Sequence, residues 1–245
     1  MKAMIFAAGL GTRLRPLTDN MPKALIDVGG RPMIDRVIER IQAAGVEKII
    51  VNVHYCAEML SRYLLDNYHG EIIISDESEM LLDTGGALVK ALPFLDGDEE
   101  ILVYNSDILS DFPIEEMHRA HVSSGADVTL LADHRETSRY LLFDKSGRMR
   151  GWKNVSTGET RSPGTLEGDE ELLAFGGVHI ITPSVIREMR RKMGETKFSI
   201  TPYYIETCGE RNYRAFTPSE SYNWVDIGKP ESLAGARELV SSTQF

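Results

Sequence analysis

Residues 7–18 read Ala-Ala-Gly-Leu-Gly-Thr-Arg-Leu-Arg-Pro-Leu-Thr, at the end of a short apolar run over 3–8. A glycine-rich turn at a strand end lets backbone N–H groups approach a phosphate closely. Ala8, Gly9, Gly11 and Thr12 are the positions expected to make that approach. Two common phosphate loops fail against the string. The dinucleotide fingerprint needs a third glycine where Leu14 stands, and a P-loop needs lysine directly after its last glycine, where Thr12 stands. Pro16 also disfavours a helical conformation at Arg15, so a helix does not run straight through the loop. What remains is a turn carrying Arg13 and Arg15, followed by Lys23 after Pro22. Residues 1–32 hold five cations and two anions, net +3, which leaves −13 on the rest of the chain. A concentrated basic island on an acidic protein suits a small polyanion. Arginine grips phosphate oxygens bidentately and lysine acts as a point charge. Arg13 and Lys23 carry the functional reading; Arg15 and Arg31 read as surface cations.

Two carboxylates, Asp107 and Asp226, each follow a short apolar strand pattern. Distant in sequence but both at strand tips, they could converge on one divalent cation, and hard oxygen ligands favour Mg²⁺. Each also suits a turn or a cap by itself. Asp83-Thr84-Gly85-Gly86 precedes a helical pattern, with Thr84 a candidate N-cap and the glycines giving access to the backbone. Gly176-Gly177 interrupts an apolar strand, which suits close approach of a ligand. Asn52 and His54 read as ordinary polar residues at a strand end. His118 and His121 read as a solvated pair on a polar helix face, no G-x-S-x-G elbow is present, and Cys56 and Cys208 have no partner pattern.

The elements that must position these residues alternate. Strands are expected at 3–8, 48–53, 72–75 and Ile101–Asn105. Helices are expected at 32–44, closed by Gly45, at 57–68 with Met59, Leu60, Tyr63 and Leu64 inward, and at 86–92. Such alternation implies crossover units and a parallel sheet covered on both faces. The fold class is α/β, Rossmann-like, with a mixed, mainly parallel sheet. Further on, strands are expected at 127–132, 140–144, 172–181 and 224–227, and helices at 183–192, 201–208 and 230–240. Lys145-Ser146-Gly147 reads as a hairpin turn. Residues 154–169, polar and without apolar period, read as a mobile loop over a site. One domain is expected, with a nucleotide-binding half at 1–133 and a second half at 134–245.

The 245 residues hold 27 Lys and Arg against 37 Asp and Glu, a formal net charge of −10, which argues against a nucleic-acid or anionic-membrane binder. Two cysteines encode no disulfide framework. No apolar run approaches the ~20 residues that span a bilayer, and no cleavable signal is evident, so a cytoplasmic setting is expected.

The string Gly-Leu-Gly-Thr-Arg-Leu-Arg-Pro-Leu-Thr followed by Pro22-Lys23-Ala24-Leu25 resembles the signature of the sugar-1-phosphate nucleotidyltransferases. The resemblance continues through Asp83-Thr84-Gly85-Gly86, Asn105-Ser106-Asp107, Phe175-Gly176-Gly177 and Trp224-Val225-Asp226-Ile227-Gly228, and is weakest over 134–170. Ser106 stands where the family often has glycine. The resemblance implies that Asp107 and Asp226 hold Mg²⁺ and that Thr84 and Gly86 line the pocket for base and ribose. It implies further that Gly177 faces the sugar and that Lys153 matches the lysine holding the sugar phosphate. Arg13 would grip the triphosphate and Lys23 would stand between the reacting phosphates. The expected activity is Mg²⁺-dependent transfer of a nucleotidyl group, UTP favoured, to a sugar 1-phosphate. CMP transfer to phosphocholine and a non-catalytic nucleotide-sugar sensor are the alternatives. The expected partners are these two small molecules, with no nucleic acid and no membrane. Without the hexapeptide extension of some relatives, a monomer or dimer is expected.

Overall fold

The computed structural model describes residues 1–70 and 72–242. The first half runs β1 (Lys2–Phe6), α1 (Met33–Ala43), β2 (Ile49–Val53), α2 (Ala57–Asn67), β3 (Ile72–Asp76), α3 (Asp83–Leu95), β4 (Ile101–Asn105), β5 (Ile108–Ser110) and α4 (Ile114–Ser124). The second half adds β6 (Val128–Asp133), β7 (Arg139–Phe143), β8 (Met149–Asn154), β9 (Thr160–Arg161) and β10 (Glu171–Ile181). It closes with α5 (Pro183–Met193), α6 (Ile200–Thr207), β11 (Tyr213–Phe216), β12 (Trp224–Asp226) and α7 (Pro230–Ser242).

β3, β2, β1 and β4 lie side by side, all parallel. After β4 the order passes to β10, which is antiparallel to β4, and on through β7, β8 and β9; β6 and β11 join off β10. The mixed, helix-covered sheet expected from the alternation is present. Both faces are covered for the reason the apolar runs imply: along β1, Ala3 and Ile5 enter one core and Met4 the other. Helices α1, α2, α4 and α7 pack on the first face, and α3, α5 and α6 on the second.

This order makes β1 and β4 the switch point, because the chain steps from β1 to β2 and β3 on one side and returns to the other side at β4. Open α/β sheets bind ligands beyond the carboxyl ends of the strands at such a point. The loops that follow β1 and β4 both open there.

Several expectations change. Met59 is 46% exposed, while Leu60 and Leu64 supply the buried face of α2. The helix expected at 86–92 extends over Asp83–Leu95 because it is apolar nearly throughout and buried. Residues 154–169 contain β9, paired to β8 through Trp152↔Arg161 and Lys153↔Thr160. His121 is buried, sharing a 2.9 Å hydrogen bond with Thr129 Oγ1, and burial pushes its pKa down to about 4; it is no solvated surface residue. Among the described residues no helix is long and apolar enough to cross a membrane.

Candidate active site

The loop after β1 is built around Gly11, which sits at φ +63. A Cβ there would lie 2.9 Å from the Thr18 methyl, and Thr18 Oγ1 donates to the Gly11 carbonyl at 2.8 Å. Only glycine fits that conformation and that space. A 3₁₀ turn, Thr12–Leu14, follows; buried Leu14 anchors it and leaves Arg13 exposed. Arg15 is extended before Pro16, as the proline requires, and pairs at 3.4 Å with Asp19 on the surface. Arg31 pairs with Glu39 away from the loop.

Lys23 opens a second 3₁₀ turn, Lys23–Leu25, entered through Pro22. Its ammonium contacts Asp107 Oδ2 and lies 3.7 Å from Asp226 Oδ1. The Lys23 side chain is 11% exposed, Asp107 23% and Asp226 38%. What unites the two carboxylates is the ribbon of β5 and β12, in register through Trp224↔Ser110, Val225↔Leu109 and Asp226↔Ile108. Ile227 N donates to the Asp107 carbonyl at 3.0 Å and locks that register beside the carboxylates. Gly228 N donates to Asp226 Oδ1 at 2.7 Å, and a Cβ on Gly228 would lie 2.7 Å from a guanidinium nitrogen of Arg13. Arg13, Lys23, Asp107 and Asp226 thus meet in one cluster. Two carboxylates that converge on a cationic centre, with open cavities beside them, form a donor set fit for a hard divalent cation whose other ligands are phosphate and water. Among the described residues no cluster of three or more His, Cys, Asp or Glu forms an all-protein metal cage.

Two cavities meet at this cluster and share Asn105 and Asp107. The smaller, about 230 Å³, lies between Ala7, Ala8 and Gly9 on one wall and Leu81, Asp83 and Thr84 on the other, with Lys23 and Asn52 also lining it. The larger, about 1050 Å³, extends from Arg13 and Asp226 past Trp224 and Gly177 to Trp152, Arg139 and Arg161.

Gly177 sits at φ +74 where β10 departs from regular pairing with β6, and its Cβ would lie 2.8 Å from Asn105 Nδ2. This glycine lets β10 pass against Asn105 at the junction of the two cavities. Gly177→Ala is expected to destabilise the protein by about 1–3 kcal/mol, from left-handed strain and the displaced amide, and to raise KM for the ligand of the large cavity. Urea unfolding and steady-state kinetics check the two effects; an unchanged midpoint contradicts the first.

Three expectations near the site are corrected. Lys153 does not line the large cavity. The register pairs Arg139 with Asn154 and Leu141 with Trp152, those four side chains line it, and alternation turns Lys153 to the other face. Thr84 is not an N-cap: the cap is Leu82, and the Thr84 hydroxyl accepts from Ile200 N at 2.9 Å. The N–H groups of Gly85 and Gly86 both donate to the Phe198 carbonyl, and side chains there would strike Phe198 and Thr196. These glycines therefore serve close packing of α3, and Gly86 offers no free backbone donor to a ligand.

The sequence reading passed over several site residues. Arg135 stacks its guanidinium 4.1 Å from the Trp224 ring centre and donates to Tyr222 Oη at 2.9 Å and to the Ala174 carbonyl at 2.8 Å. Its isolated position in a polar stretch gave no signal. Asn52, set aside as a strand-end residue, is buried and accepts from Ala7 N at 2.8 Å. Its amide donates at 2.8 Å to Glu77 Oε1, and Leu82 N donates at 3.0 Å to Glu77 Oε2. Burial pushes the Glu77 carboxyl above the usual range against the pull of those two donors. Asp83, on the same wall, is held at φ +60, a rare conformation for a side-chain-bearing residue.

Comparison with known proteins gives a consistent result. A family model described as nucleotidyl transferase matches residues 2–148. The chain is 29% identical over 243 residues to the N-acetylmuramate alpha-1-phosphate uridylyltransferase of Caulobacter vibrioides, covering 96% of this chain and 94% of that protein. It is 29% identical over 251 residues to mannose-1-phosphate guanylyltransferase 1 of Arabidopsis thaliana, covering 99% of this chain and 65% of that longer protein. In fold it matches HddC from Yersinia pseudotuberculosis, solved with GMP-PN, at a TM-score of 0.76 with 20% identity and coverage of 98% and 99%.

Proposed function

We propose that the chain, which belongs to the nucleotidyl transferase family, moves a nucleotidyl group from a nucleoside triphosphate, UTP by preference, to a sugar 1-phosphate. One observation carries the reading: the cluster of Arg13, Lys23, Asp107 and Asp226 stands where a small and a large cavity meet. The nucleotide fits the smaller cavity, beside the glycine turn, and the acceptor the larger.

In the reaction an oxygen of the sugar 1-phosphate forms a bond to the α-phosphorus. The bond from that phosphorus to the bridging oxygen of the β-phosphate breaks, and pyrophosphate leaves with the electron pair. The sugar 1-phosphate, a monoester, carries about −1.5 to −2 charge at neutral pH and the triphosphate is itself a polyanion, so the substrates repel one another. The nucleophile is already an anion and needs no general base, which leaves charge neutralisation and in-line positioning as the work of the site. Arg13 and the N–H groups of the turn hold the triphosphate, and the ammonium of Lys23 faces the charge gathering between the two phosphoryl groups. Asp107 and Asp226 are the residues that would hold Mg²⁺, which supplies further neutralisation when bound. UTP is favoured on overall resemblance to the uridylyltransferase relative, 29% identical over 243 residues.

The test is release of pyrophosphate from each nucleoside triphosphate in turn, with Mg²⁺ and a panel of glucose, mannose and N-acetylmuramate 1-phosphates. The expected result is turnover with at least one sugar phosphate, fastest with UTP. Tight nucleotide binding without pyrophosphate in any pairing would make the chain a sensor and overturn the reading.

A further inference from the structure

We propose that Glu77 and Asn52 are positioning residues for the nucleoside triphosphate: a single buried carboxylate, working through one amide, ties together the two walls of the small cavity. The inference rests on the reading that the nucleotide occupies that cavity, and adds how its affinity is set.

The relay has four members. The Ala7 N–H, on the wall formed by the turn after β1, donates to Asn52 Oδ1; Asn52 Nδ2 donates to Glu77 Oε1; and Leu82 N–H, between the cavity-lining Leu81 and Asp83, donates to Glu77 Oε2. The direction of each bond is determined. Backbone N–H groups only donate, so the Ala7 N–H fixes Asn52 Oδ1 as the acceptor and turns the amide nitrogen, which only donates, to Glu77. Asn52 itself lines the cavity, and the β1–β2 register sets it beside Phe6, which also lines it.

Glu77 is 0% exposed and has no ion-pair partner among the described residues within 4 Å. Burying a carboxylate without a counter-ion is costly, and an apolar side chain of similar size would fill the space at lower cost. The backbone of Glu77 is held independently, since its N–H donates to the Val53 carbonyl at 2.8 Å and its carbonyl lies 2.7 Å from His54 Nδ1. The carboxylate therefore adds what the backbone does not: two directed acceptors reaching towards opposite walls. Spacing between the walls decides whether the N–H groups of the turn and the strap at 81–84 engage one ligand together, as preorganised recognition requires.

The experiment measures the dissociation constant for UTP by calorimetry, and KM for UTP and for the sugar phosphate, in the full-length wild type, Asn52→Ala, Glu77→Gln and the double variant. Glu77→Gln keeps the shape but turns one acceptor into a donor facing a donor. Each single change is expected to weaken UTP binding about tenfold, the order set by one unsatisfied buried hydrogen-bonding group. KM for the sugar phosphate is expected to move less than about twofold, and the double variant to be no weaker than the poorer single variant, since the two residues act as one unit. Should Glu77→Gln fail to fold, Asn52→Ala alone decides the matter. UTP affinity within twofold of wild type, an equal loss for both substrates, or additive losses would each overturn the inference. A wild type that binds no nucleoside triphosphate would overturn the proposed function itself, and this inference with it.

Discussion

Lys23→Ala is expected to lower kcat/KM by about 10²–10³-fold, the range seen when one preorganised electrostatic donor is lost from a transition state. The magnitude follows from where the ammonium lies. It is nearly buried, in contact with Asp107 and 3.7 Å from Asp226, and among the described residues it is the one cation paired with either carboxylate. Its removal leaves two carboxylates facing one another beside a site meant for two phosphoryl groups, so repulsion rises on both sides of the reaction. Lys23→Arg is not expected to rescue. A planar guanidinium cannot occupy the space of the compact ammonium that reaches from the start of this 3₁₀ turn to the two carboxylates. The loss should fall mainly on kcat, because the charge it opposes peaks as the two phosphoryl groups meet. Steady-state kinetics with both substrates varied, on protein whose melting temperature is checked, decides the matter. A variant with more than a tenth of wild-type kcat/KM would remove Lys23 from the chemistry.

The parts of this architecture that local pattern could show were those that local pattern determines. β2 and β4 are largely apolar runs, broken only by Asn52 in the one and ending on Asn105 in the other, and α1 repeats its apolar residues at helical spacing up to Gly45, so their boundaries fall within a residue or two of expectation. The glycine turn and its cations were legible because Gly11 and Arg13 act close to their own place in the chain. The rest depends on partners remote in sequence. Lys153 and its neighbours differ only in which side of β8 they occupy, and that is set by pairing with β7 and β9. Gly85 and Gly86 resemble access points for a ligand because nothing local announces that Phe198 fills the space above the first and the Thr196 carbonyl that above the second. α4 reads from the sequence only as a polar helix face bearing His118 and His121, because its buried stripe is Ile114, Met117 and His121, and a histidine does not register as apolar. Glu77 was invisible for the same reason in reverse. A glutamate in a polar, acidic stretch reads as surface, and only the folding of Asn52 and Leu82 around it gives its carboxylate two donors.

Asp107→Asn and Asp226→Asn are each expected to reduce Mg²⁺-supported kcat by at least about 10²-fold, with more of the loss recovered at high Mg²⁺ for Asp226→Asn than for Asp107→Asn. The asymmetry follows from surroundings. Asp107 is the less exposed carboxylate and contacts Lys23, so its asparagine removes the charge that pairs with the nearly buried ammonium, and that loss persists at any metal concentration. Asp226 lies farther from Lys23 and closer to solvent, and one of its oxygens already accepts from Gly228 N. An asparagine there can turn its carbonyl to the same N–H and keep the ribbon of β5 and β12 in register, so the loss falls on cation affinity. Titration of activity with Mg²⁺, paired with calorimetry of Mg²⁺ in the presence of nucleotide, separates the two components. If both variants kept near-normal turnover and unchanged Mg²⁺ dependence, the carboxylates would be turn residues at the mouth of the cavities, and the phosphate charge would have to be met by Arg13 and Lys23 alone.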